Sequence, residues 1–110
     1  MKLKLTEFVP EKNPKNKWII IYSWMSGDGD HYQEEEYTFK TREEFIEYVT
    51  LFNEIEGMDS NCKTFKEKVK GKLDDIPYDI TSDGIKASPN GIDEMFYFDK
   101  DGKKFVVTIE

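Results

Sequence analysis

The chain has 110 residues, 35% of them charged and 15% aromatic, with a formal net charge of −7. That aromatic content excludes a disordered tail, and the length supports one domain, residues 1–110, without metal or disulfide staples. The acidic balance argues against direct nucleic-acid binding, which needs clustered Lys and Arg, and a single cysteine, Cys62, excludes an internal disulfide and fits a reducing compartment.

Met1 to Pro10 alternates Lys with Leu and lacks the apolar core of a signal peptide. Trp18 to Met25 is too short to span a bilayer, so a cytoplasmic protein with no membrane partner is expected. Leu3 and Leu5 alternate with polar residues as in a short strand with both leucines inward, and Phe8 and Val9 extend the pattern. Pro10 to Asn16 is a connecting loop.

The chain is organised around Lys17 to Ile55. Trp18, Ile20, Tyr22 and Trp24 fall on one face of an extended strand, with Ile19, Ile21 and Met25 on the other. Two apolar faces predict a central strand. Ser26 to Asp30 breaks the pattern as a hairpin loop. His31 to Phe39 then reads as a strand whose Glu34, Glu35 and Glu36 suit a sheet edge, where charge discourages pairing with other chains.

Thr41 with Glu44 makes a capping box that starts a helix. Phe45, Tyr48, Val49, Phe52 and Ile55 recur at helical spacing on one stripe, Glu43, Glu47 and Glu54 lie opposite, and Gly57 is placed to end the helix in a left-handed conformation. A second helix is predicted from about Cys62 to Leu73, with Cys62, Phe65, Val69 and Leu73 on a narrow apolar stripe. Lys63, Lys66, Lys68, Lys70 and Lys72 surround it. These lysines either face solvent and the acidic first helix, the simpler reading, or form a basic strip.

Asp74 to Ser82 reads as a loop. From Gly84 onward a three-stranded meander is predicted, with turns at Ser88-Pro89-Asn90-Gly91 and Asp99-Lys100-Asp101-Gly102. Ile92 to Phe98 is one strand with Phe96 and Phe98 on a shared face, and Phe105, Val107 and Ile109 point into the core from the next. The expected fold is therefore α+β, a mainly antiparallel sheet of five to six strands with two helices packed on one face, in the order β-β-β-α-α-β-β-β.

Three stretches are candidates for chemistry. Asp28, Asp30 and His31 together could ligate a divalent cation or act as acid and base, yet no second histidine completes a zinc or facial-triad set. A solvated hairpin loop explains the same residues without further assumption. The Asp99 to Glu110 stretch superficially resembles a calcium loop, but the glycine sits at the fourth position instead of the sixth, which favours a hairpin turn. The rings of Trp18, Tyr22 and Trp24, with Tyr32 and Tyr37, form either a core or an exposed aromatic patch bordered by acids.

No Gly-x-Ser-x-Gly or phosphate-cradling glycine loop is present, so no catalytic, metal or cofactor site is assigned. The expected function is a non-enzymatic acidic protein-binding module. Asp28, Asp30, Glu34, Glu35, Glu36, Glu43, Glu47, Trp24 and Tyr32 would meet a protein partner with a basic surface, and an inhibitor that mimics nucleic acid is the sharpest version. A metal-dependent enzyme or metal-binding domain using Asp28, Asp30 and His31, and a structural or self-assembling subunit that buries an aromatic sheet face in a homo-oligomer, are the alternatives.

Overall fold

The structure, a computed structural model, describes residues 1–7, 15–26, 31–73 and 87–110. These hold β1 (Leu3–Glu7), β2 (Lys17–Met25), β3 (Tyr32–Phe39), α1 (Arg42–Ile55), α2 (Lys63–Val69), β4 (Ser88–Phe98) and β5 (Lys104–Ile109). The strands form one sheet in the order β1-β5-β4-β2-β3, and every neighbouring pair is antiparallel. This is the expected α+β architecture, with β2 in the interior and the glutamate-bearing β3 at an edge. Among the described residues no helix is long and apolar enough to cross a membrane.

Alternation along β2 decides how the sheet is used. Trp18, Ile20, Tyr22 and Trp24 point to one face and are buried there with Phe45, Val49, Phe52 and Ile55 of α1. The Tyr22 ring stacks on Phe52 with centroids 4.1 Å apart, and Trp18 stacks on Tyr97 at 4.3 Å. The aromatic run is therefore core. Buried there, the Tyr22 phenol donates to the Phe52 carbonyl over 3.2 Å, and desolvation pushes its pKa far above the ordinary tyrosine value.

Local chemistry sets the helix limits. The Thr41 hydroxyl accepts from the Glu44 amide at 3.1 Å and opens α1, and Gly57 turns the chain at φ 76° after it. The second helix is shorter than the sequence predicts. Cys62 is its N-cap, its thiol accepting from the Phe65 amide, and Gly71 at φ 76° follows its end, so Leu73 packs on the core from beyond the helix.

Two expectations need correction. Ser88-Pro89-Asn90-Gly91 is not a turn but the first part of β4, which pairs with Ser23 to Met25. The pairing slips between Ile21 and Tyr22 and again between Ser23 and Trp24, so Asp93 and Asn90 are extra residues in two β-bulges. Bulges accommodate the Pro, Asn and Gly that otherwise read as a turn. Leu5 and Ile109, expected to point inward, are 42% and 40% exposed. The β1–β5 pair forms a wing of the sheet beyond α1, which packs on β4, β2 and β3. The second predicted turn holds: Gly102 has φ 81°, its amide bonds to the Asp99 carbonyl, and the Asp99 carboxylate accepts from the amides of Asp101 and Lys103, each at 2.9 Å. The extension of β1 through Phe8 and Val9, most of the Pro10 to Asn16 loop, the tip of the Ser26 to Asp30 loop and the Asp74 to Ser82 loop lie outside the described residues.

Candidate binding surface

The face of the sheet opposite the helices is built from the residues that alternate with the core. Glu34 lies opposite Ser23 and Glu36 opposite Ile21 on β3, while Glu94 lies opposite Ile21 on β4. Cross-strand partners share a face, so Glu36, Ile21 and Glu94 form one row across three strands. Tyr32, opposite Met25, belongs to the same face and is 67% exposed.

The bulge supplies a fourth carboxylate. By strict alternation Asp93 would share the core side with Met95 and Tyr97, but the extra residue resets the phase. Ile92 and Met95 both pack toward the core, and Asp93 is turned outward. Its carboxylate accepts from the buried Ser23 hydroxyl at 3.4 Å, and that hydroxyl in turn accepts from the Asn90 amide nitrogen at 3.0 Å. The Glu34 carboxyl reaches the same Asp93 carboxylate. Their hydrogen bond, with some desolvation and the charges of Asp93 and Glu94, holds the Glu34 pKa above the usual carboxylate range. Two carboxylates sharing one hydrogen bond disfavour full ionisation.

Other acids lie apart from this group. Glu35 pairs with Tyr22 on the helix side of β3, half-buried, and accepts from the Gln33 side-chain amide. Glu47 is bonded to Lys72 at 2.9 Å and Glu54 to Lys68 at 3.2 Å, both within the helix layer. The hydrogen bond to Glu47 is the main reason the Lys72 pKa is raised. Further ion pairs join Lys63 to Glu67 and Lys103 to Glu7. Thus Lys68 of α2 and Lys72 just beyond it face acidic residues of α1, as the simpler reading of those lysines expects.

The single acidic docking face read from the sequence divides accordingly. Glu34, Glu36 and Tyr32 are brought together on the sheet. Glu43 and Glu47 belong to α1 on the far side, and Glu47 is neutralised locally. Trp24 is fully buried, with its indole N–H donating to the Tyr37 hydroxyl at 3.2 Å, and so belongs to the core instead of a binding surface. Asp28 and Asp30 lie outside the described residues. His31 is exposed, and its backbone amide and carbonyl are bound to the hydroxyl and amide of Ser26. Among the described residues no group of three His, Cys, Asp or Glu is placed to hold a metal ion.

Asp93 and Glu94 were missed from sequence. Glu94 shares the two-residue period of Phe96 and Phe98 and was legible by that signal. Asp93 was not, because only the bulge turns it to this side. Comparison with protein-family models, with curated proteins and with solved structures finds no match for the chain.

Proposed function

We propose that this chain is a non-enzymatic binding module that docks through its carboxylate-bearing sheet face onto a basic surface of a partner protein. The observation that carries the reading is the gathering of Glu34, Glu36, Asp93 and Glu94 on one face, with Asp93 and Glu94 close enough to Glu34 that its pKa is raised. Like charges across a sheet are unfavourable to folding. An arrangement that breaks a local rule in this way is expected where binding uses it, because a cationic partner relieves the repulsion. Concentrated negative charge also steers a basic partner during encounter. In the sharpest form the partner site is one that otherwise holds nucleic acid, and the carboxylates stand where phosphates sit.

The test is affinity capture from native lysate with the wild-type chain and with a Glu34→Lys, Glu36→Lys, Glu94→Lys variant, each washed across a salt series. A basic protein held by wild type, released as salt rises and absent from the variant, supports the reading. A partner that stays bound at high salt, or that the variant also captures, contradicts it.

A further inference from the structure

Among the described residues the sheet is incomplete between two of its strands. β5 pairs with β1 from Phe105 to Ile109 but with β4 only from Phe96 opposite Val106 to Phe98 opposite Lys104. Beyond Phe96 the two strands part and leave a cleft of about 630 Å³, whose walls include Ile92, Glu94 and Met95 on one side and Val107 and Ile109 on the other, with Asn53 of α1 contributing. Among the described residues, the β5-facing edge of β4 from Ile92 to Met95 has no strand partner. An unpaired strand edge presents peptide N–H and C=O groups in a row, which is what an added strand recognises.

Charge and polarity choose the occupant. Asp93 and Glu94 line the cleft and outnumber its one lining cation, Lys104, which lies at the closed end 4.2 Å over the Phe96 ring, while Ile92, Met95, Val107 and Ile109 offer apolar contacts. An extended peptide shows its side chains to alternate sides. A segment alternating basic with apolar residues therefore sets its cations against the carboxylates and its apolar side chains into the cleft.

We infer that the partner contributes such a basic, extended segment, which adds as a strand to the β5-facing edge of β4 at Ile92 to Met95, unpaired among the described residues, in the cleft between β4 and β5. This rests on the docking reading above and adds its mode. The backbone supplies the pairing and the acidic face supplies the preference for Lys or Arg. A small apolar ligand would not use the neighbouring carboxylates.

The probe is a synthetic nonapeptide of alternating Lys and Val, titrated into the full chain and followed by backbone amide shifts. A second probe has the same sequence with alternate amides N-methylated, which keeps the charge and removes strand pairing. The expected result is shifts concentrated at 92–95 and 107–109, and at least tenfold weaker binding of the methylated peptide. The variant Asp93→Asn, Glu94→Gln, altered at two exposed positions, is expected to weaken the first probe several-fold. Equal binding of both peptides overturns strand addition and leaves charge-driven docking standing. Failure of both peptides to bind overturns the two readings together.

Discussion

Glu34 shows in one side chain the conflict that defines the acidic face. Its folded-state pKa is raised, chiefly by the hydrogen bond with Asp93, so folding favours its protonated form. The stabilising contribution is present below the unfolded value of about 4.3 and is lost as pH rises through the folded value. At neutral pH the charge therefore works against the fold. Glu34→Gln is expected to raise the thermal midpoint at pH 7, with the gain shrinking toward acid, as thermal unfolding across a pH series will show. Tyr22 has the same sign at the other end of the scale. Its phenol is held neutral by burial, so its contribution is full below the ordinary tyrosine pKa and is lost in strong alkali. Tyr22→Phe removes the bond to the Phe52 carbonyl, and a loss of about 1 to 2 kcal/mol is expected in urea unfolding.

The elements were legible in proportion to how local their causes are. Thr41 capping α1, the Phe45 to Ile55 stripe and the Asp99 to Gly102 turn depend on neighbours a few residues away, and each appears as read. The bulged first half of β4 depends on Ser23, far away in sequence, whose hydroxyl bonds to Gly91 and Asp93. No local pattern encodes that. Gly91 sits at φ 151°, and a Cβ there would come within 2.6 Å of the flexible Glu56 carboxylate. Gly91→Ala is expected to cost about 1 kcal/mol or more, mainly through the backbone because Glu56 can swing aside. Gly57→Ala, with open space around it, isolates the backbone cost at φ 76°, again about 1 kcal/mol. Urea titration of both compares them directly. Equal losses would show that the Glu56 contact matters little, and a much larger loss at Gly91 would show that the bulge cannot give.

At the scale of the whole molecule, the two faces of one sheet carry different side chains. The helix-side face is filled with rings, and the acids beyond it are offset by Lys68 and Lys72. The other face gathers Glu34, Glu36, Asp93 and Glu94, with Lys104 over the Phe96 ring toward its β5 side. From sequence the total charge was plain but its division was not, because helix pairing and sheet register assign each carboxylate to a side. The central claim is that cations are recognised by the sheet face and not by negative charge at large. Hexalysine titrated into the chain, with amide shifts followed at several salt concentrations, tests it most directly. The expected result is shifts gathered around Glu34, Glu36, Asp93 and Glu94, with affinity falling as salt rises and lost in Glu34→Gln, Glu36→Gln, Asp93→Asn, Glu94→Gln. Shifts spread equally over Glu43 and Glu47 of α1, or a variant that binds like wild type, would contradict it.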